Sequence, residues 1–327
     1  MPEYPHPTQE SDITMKRMIA WLPDRVDGRT RVVAWIYLAA QVMLVATGGA
    51  VRLTGSGLGC PTWPTCTADS FVNTPEMGIH GVIEFGNRAL GGVLALLAII
   101  AFLQVVKLYR TRRDLFLLTL IAGLGVPLQA IIGGLSVRTQ LTWWVVGIHL
   151  IISIVLVALT TSYLVRVYAT PGPRYRAVPG WYAALAYVTA AVVLITVLVG
   201  ILTTGAGPHA GDQKTPRNGL NPEVLQHVHA IPAYVTFALT LVLVVAAFRV
   251  AGPGVRRFTQ YLLAVELLQI VVGLIQANTG LPGVLVGVHM TLAALLTAVM
   301  TAVVLSLYSP VTAPRDPQDS AQDVVAA

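Results

Sequence analysis

A chain of 327 residues that is 55% hydrophobic and only 11% charged cannot present a water-soluble surface, since soluble domains carry about 25% charged residues. A net charge of +6 would suit nucleic acid, but the basic residues gather in connections on one side of a series of apolar runs, which is a membrane pattern and excludes a nucleic-acid surface. Residues 1–31 come first as a polar segment with Lys16, Arg17, Arg25, Arg29 and Arg31 and no apolar core with a cleavage site, so no removable signal peptide is expected. Eight apolar runs follow, each long enough for a hydrocarbon core of about 30 Å, which takes about 20 helical residues. They are predicted over 32–52, 82–107, 115–136, 143–167, 181–203, 228–249, 256–276 and 283–307. Each is expected to be helical, because a segment in lipid must satisfy its own backbone hydrogen bonds.

Lys107, Arg110, Arg112 and Arg113 fill the connection after helix two, Arg166, Arg174 and Arg176 follow helix four, and Arg249, Arg256 and Arg257 follow helix six. With Arg315 in the tail, most of the 21 basic residues fall on one face, which the positive-inside rule assigns to the cytoplasm. Both termini are then cytoplasmic. Residues 309–327 read as a disordered tail.

The stretch QAIIGGLSVRTQLTWWVVGIH at 129–149 aligns without a gap with QIVVGLIQANTGLPGVLVGVH at 269–289, pairing Gln129 with Gln269, Gly133 with Gly273 and His149 with His289. TGSG at 54–57 likewise matches TGAG at 204–207. The expected fold class is therefore an all-α membrane protein with eight transmembrane helices as two tandem four-helix bundles, residues 32–168 and 169–308, related as a parallel repeat.

Helices two, four, six and eight enter from the outer face and carry polar groups in their first turns. His149 and His289 lie about 10 Å along their helices, and His227 and His229 open helix six. Ionisable groups at such depth are functional candidates by default. Duplication in register favours ligands over interfacial histidines bonded to carbonyls. No clustered cysteines or carboxylates accompany them to build a small-metal site, so heme suits better. Two facing helices can each supply an axial ligand, and Gly133, Gly134, Gly147 and Gly287 would let a flat macrocycle approach the backbone. One pocket is expected per half, both toward the outer face.

The two pockets differ in chemistry. On helix two, His80, Glu84, Asn87 and Arg88 share one face, and the second half has no carboxylate in the corresponding stretch. Glu84 reads as a proton acceptor or charge stabiliser, or as an ion-pair partner of Arg88 one turn on. Arg52, Arg88 and Arg138 accompany the first pocket, while Leu202 and Asn278 stand at the repeat equivalents of Arg52 and Arg138. Arginines at a pocket rim suit propionate carboxylates, with interfacial anchoring as the alternative. Cys60 and Cys66 share the first outer loop, on the oxidising side, where a disulfide is expected, as a loop staple or with a redox role. His209, in GPHAGD, is expected to tie down the matching loop of the second half.

GGAVRLTGSGLGCPTWPTC at 48–66, IEFGNR at 83–88, TGAGPHAGD at 204–212 and the histidine positions carry a resemblance that covers about residues 32–308. The chain resembles the heme A synthases, membrane oxidoreductases that convert a methyl group of heme O to the formyl group of heme A for terminal oxidases. The resemblance implies a heme b site on His289 and on His229 or His227, with His229 preferred. It implies heme O as substrate in the N-terminal half, beside Glu84 and His149. Asn87 stands where the family has a second histidine, which leaves one evident axial ligand there unless His80 substitutes. The family's reaction is read as two successive hydroxylations followed by loss of water, and Glu84 would stabilise positive charge left on the methyl carbon. An electron acceptor, the heme O-producing enzyme and a second copy of the chain are the partners so implied. The chief rival is a membrane b-type cytochrome that only transfers electrons, which the placement of every candidate ligand toward one face disfavours. A transporter is the other, disfavoured because Pro127 and Pro232 offer no unwound-looking mid-membrane break.

Overall fold

A computed structural model describes residues 22–310. The expected tail from 311 onward and the first 21 residues of the N-terminal segment, with Lys16, Arg17 and Arg315, lie outside the described residues. The described chain forms α1 (Gly28–Leu53), α2 (Gly78–Leu103), α3 (Arg113–Arg138), α4 (Trp143–Val167), β1 (Arg174–Arg176), α5 (Gly180–Ala206), α6 (Pro222–Val250), α7 (Pro253–Asn278), α8 (Gly283–Ser306) and β2 (Tyr308–Pro310). All eight helices are long and apolar enough to cross a membrane.

Six of the eight helices begin earlier than their apolar runs, α4 and α8 begin where expected, and side-chain caps account for the early starts of α1 and α6. Asp27 takes the N–H groups of Arg29 and Thr30 at 2.9 and 3.1 Å, starting α1 at Gly28 where hydropathy indicates 32. The Thr30 and Arg29 amides hold the Asp27 carboxyl below the usual aspartate range. A short 3₁₀ turn, Pro75–Met77, leads into α2 through Gly78, whose φ of 56° is left-handed and suits glycine. Asn221 accepts from the N–H groups of Glu223 and Val224, and Pro222 fills the first helical position. As a result α6 begins at Pro222, where the hydrophobic run indicates 228, and His227 and His229 lie in its second turn and not at its opening.

Around the first half, α1 packs on α2 and α4, and α3 packs on the same two helices; α5 to α8 repeat this pattern of neighbours. Between the halves, α8 lies against α1 and α4, and α4 touches α5. Small residues allow the close approaches: Ala34, Ala98, Ala101 and Ala122 are buried with Tyr37 and Tyr163 in the first half. Val42, Val45, Ile154, Val157, Ala294 and Ala298 join α1, α4 and α8. Pro127 and Pro232 sit inside continuous helices.

At the ends rich in basic residues, arginines close exposed helix carbonyls. Arg112 donates to the Arg166 carbonyl at 2.6 Å and pairs with Asp114, and Arg256 donates to the carbonyls of Ala247 and Ala251. At this end Tyr308–Pro310 pairs antiparallel with Arg174–Arg176, with Tyr175 opposite Ser309. Ser309 and Pro310 are therefore strand, where a disordered tail was expected to have begun.

Candidate functional site

The repeat reappears as matched contacts. Gln129 Nε2 donates to the His149 carbonyl at 3.1 Å, and Gln269 Nε2 donates to the His289 carbonyl at 3.1 Å. A Cβ on Gly133 would lie 3.3 Å from His149 Cε1, and one on Gly273 would lie 3.2 Å from His289 Cε1. In each half the preceding helix thus gives a glycine to the imidazole ring and a glutamine to the histidine backbone. His229 on α6 meets a glycine in the same way, since a Cβ on Gly200 of α5 would lie 3.0 Å from its Cε1.

All three histidines lie about equally far along their helices. His149 and His289 follow the first residues of their helices, Trp143 and Gly283, by about 9 Å, and His229 follows Pro222 by about 10 Å. The His229 and His289 rings face each other with centroids 6.2 Å apart and planes at 71°. Each of the three buries an Nδ1 atom that has no hydrogen-bond partner, whereas buried polar atoms are ordinarily paired. A neutral imidazole ligates metal through either nitrogen. Two imidazoles on opposite sides of one ion, with bonds of about 2 Å, place their ring centroids about 6 Å apart. The His229–His289 pair fits this requirement. Among the described residues no group of three or more His, Cys, Asp or Glu converges. Two axial nitrogens without further ligands suit a metal that brings its own equatorial set, as heme iron does. His227 is exposed and lies outside the pair.

Most polar residues expected around the first pocket are engaged with the outer loops. The Glu84 carboxylate, 5% exposed, accepts from the Cys60 N–H at 2.7 Å and pairs with Arg88 at 2.5 Å, which is the i+4 ion pair of the sequence reading. Arg88 also donates to the carbonyls of Cys60, Thr62 and Thr65. Arg52 donates to the His209 and Thr204 carbonyls at 2.6 and 3.0 Å, so it clamps the outer loop of the other half. These contacts share a cause: loop carbonyls reach the guanidinium groups expected to hold a ligand's carboxylates, and they satisfy donors locally. Arg138 is the least engaged, 3.4 Å from the Trp63 carbonyl and exposed there. His80 is bonded through Nδ1 to Ser56 Oγ at 2.9 Å, in the loop network. Asn87 accepts from Thr47 Oγ1 at 2.8 Å, joining α2 to α1. His209 bonds the Leu281 carbonyl at 2.9 Å and so holds the second loop.

Cys60 and Cys66 form a disulfide with Cα atoms 4.5 Å apart. The loop it closes carries Trp63, whose ring covers Gly134 so closely that a Cβ there would be 2.3 Å away. The four glycines expected to admit a macrocycle are each approached by protein: Gly133 by His149, Gly134 by Trp63, Gly147 by Ile201 and Gly287 by Leu53. Sequence reasoning passed over Trp63 as a group packed on Gly134 of α3, and it passed over Glu266 altogether. Glu266 lies midway along α7, 4% exposed, and the mid-span charge was the signal that would have found it.

Fold and site define a multi-pass, all-helical membrane protein with a facing histidine pair in one half and a matching single histidine in the other. Residues 31–301 match the COX15-CtaA family, described as cytochrome oxidase assembly protein, and the chain belongs to that family. It is similar to the heme A synthase of Exiguobacterium sibiricum, 28% identical over 169 residues that cover 51% of this chain and 56% of that protein. In that alignment the chain spans about half the length of its relative, and with the heme A synthase of Geobacillus kaustophilus it spans 38%. The heme A synthase of Rickettsia felis is 22% identical over 333 residues, covering 83% of this chain and 96% of its own length. That of Azorhizobium caulinodans is 27% identical over 284 residues, covering 70% and 80%.

Proposed function

We propose that this chain is a heme A synthase of the cell membrane, oxidising a methyl group of heme O to the formyl group of heme A by successive hydroxylations. The facing imidazoles of His229 and His289, each with a buried Nδ1 that has no partner, and His149 with the same unpaired Nδ1 one repeat earlier, carry the reading. Membership of the family and the name shared by the relatives support it.

In this reading His229 and His289 would hold a resident heme b, and His149 would bind heme O in the N-terminal half. Heme b would supply one-electron redox chemistry. Gln129 and Gln269 fix the backbone of the histidines they serve, and Gly133, Gly200 and Gly273 let the rings lie flat against the neighbouring helices. The disulfide loop closes the first half from the outer side through Trp63. Glu84 is a fixed negative charge at the head of α2, held by Arg88 and the Cys60 amide, and it stabilises positive charge arising on the substrate as electrons leave. Arg138, exposed and weakly engaged, is the arginine available to a propionate. The basic ends of the helices face the cytoplasm, and the histidines face the outer side.

Expression in cells that make heme O but not heme A, followed by extraction and mass separation of the hemes, tests this. Heme A is expected only with the intact protein. Heme b alone, with heme O abundant and unchanged, would identify an electron-transfer cytochrome instead. Glu84→Gln is expected to retain heme b and yield no heme A, and a fully active variant would remove Glu84 from the chemistry.

A further inference from the structure

Inside the helices of the second half, Glu266 is a carboxyl group without a matching role in the site described above. It lies midway along α7, 4% exposed, with Oε1 accepting from Thr240 Oγ1 of α6 at 2.8 Å and Oε2 buried without a partner. Thr240 is unusual in this. Thr119, Thr160, Thr161, Thr189, Thr236 and Thr259, buried in other turns, each donate to the carbonyl one turn earlier in their own helix. Thr240 turns its hydroxyl to the carboxyl group instead.

An ionised carboxylate at this depth is expensive unless countered. The ion pairs among the described residues, Glu84–Arg88 and Arg112–Asp114, belong to the other half. The titratable groups of the neighbouring helices are few. On α8 there is His289 alone. On α6 there are Glu223 and His227 in the first two turns, His229, Tyr234, and Arg249 about 13 Å along the helix from Thr240. On α5, Tyr182 is bonded to the Leu243 carbonyl and Tyr187 to Tyr308. On α7 itself, Tyr261 is exposed, and Arg256 and Arg257 sit about 15 Å away in the first turns, Arg256 bonded to carbonyls. Apart from Tyr234 and Tyr261, the histidine pair is the nearest of these: Gly273, which contacts His289, is seven residues or about 10 Å from Glu266 along α7. Across apolar surroundings a change of one charge is felt at that distance. A polar seam joins the two places, since Thr236 lies 3.4 Å from Thr196, whose backbone meets the His229 ring.

We propose that Glu266 is the proton-exchanging group of the C-terminal half, taking up one proton when an iron held by His229 and His289 gains one electron and releasing it when the electron leaves. The proton comes from water and returns to it, so one positive charge accompanies each negative one and the apolar half keeps its net charge. This inference rests on the histidine-pair reading given under Proposed function.

The test is a redox titration of the purified full-length protein across pH ~5 to ~9, with a chemical reductant and mediators as the electron source. The wild-type midpoint potential is expected to fall as pH rises, whereas Glu266→Gln keeps the visible spectrum and loses that slope. Glu266→Asp restores a slope. A reduced-minus-oxidised infrared spectrum should show a carboxylic C=O band that is lost in Glu266→Gln. An unchanged slope and band in Glu266→Gln would overturn the proposal while leaving the histidine pair intact. A wild-type protein with no bis-imidazole heme spectrum would instead overturn the histidine-pair reading, and this inference with it. If Glu266→Gln does not fold, Thr240→Val serves, and a slope identical to wild type throughout the range counts against the proposal.

Discussion

The two halves share a scaffold and differ in what they place on it. In both, a glutamine holds the histidine backbone at 3.1 Å and a glycine meets the ring. The C-terminal half adds a second imidazole, His229, where the N-terminal half has Asn87 bonded to Thr47. The N-terminal half adds a charged, disulfide-closed lid built on Glu84 and Arg88, and the other half has no ion pair among its described residues. The helix entrances differ too. Trp143 packs on Gly205 between α4 and α5, whereas its repeat equivalent Gly283 helps line a groove of about 600 Å³ between α1 and α8. Duplication with this divergence suits one half that holds a group permanently and one that must admit and release its occupant.

The largest effect expected is on the permanent site. His289→Ala should lose the b-type absorbance of the purified protein entirely, while His149→Ala and His227→Ala keep it. Retention of the band in His289→Ala would erase the distinction between the halves. Asn87→His is expected to convert the first half toward the second, so that heme is held there at least tenfold more tightly, about 1.4 kcal/mol. The heme-to-protein ratio after purification reads this directly, and an unchanged ratio would mean that position 87 does not reach the iron. Arg88→Ala leaves the Glu84 charge buried among loop amides. It should cost about 2–3 kcal/mol, below the 3–5 kcal/mol of fully buried pairs because the Arg88 side chain remains 22% exposed. A thermal melt in detergent measures it, and no loss of stability would mean that the lid is held by the disulfide alone.

The spans and the repeat were legible because lipid imposes length and hydropathy, and because the 129–149 and 269–289 segments align without a gap. The first turns of α1 and α6 were not, since they are polar and are held by Asp27 and Asn221. His149 and His289 stood out by in-register duplication, His229 only through the family resemblance, and the structure places His229 opposite His289 and leaves His227 exposed. What stayed hidden was long-range. Arg52 reaches a carbonyl 157 residues away, and nothing in local sequence distinguishes an arginine meant for a loop from one meant for a ligand. The glycines teach a related point: a missing Cβ marks a close approach without saying what approaches, and here His149, Trp63, Ile201 and Leu53 do.

The smallest effect tests the shared scaffold most directly. Gln129→Leu and Gln269→Leu each remove one hydrogen bond to a histidine carbonyl, which is worth about 1 kcal/mol net. Gln129 also donates to Ser153 Oγ at 2.5 Å, and the equivalent position 293 is alanine, so the first variant should lose slightly more. The spectral consequence should run the other way. If His289 holds heme b as proposed, loosening it is expected to shift the b-type band, whereas loosening His149 leaves that band in place. Equal melting losses with a shift confined to Gln269→Leu would mean that the halves are one device used twice. A shift in both would mean that the two histidines report on a single site, and the division between a permanent and a visiting group would have to be abandoned.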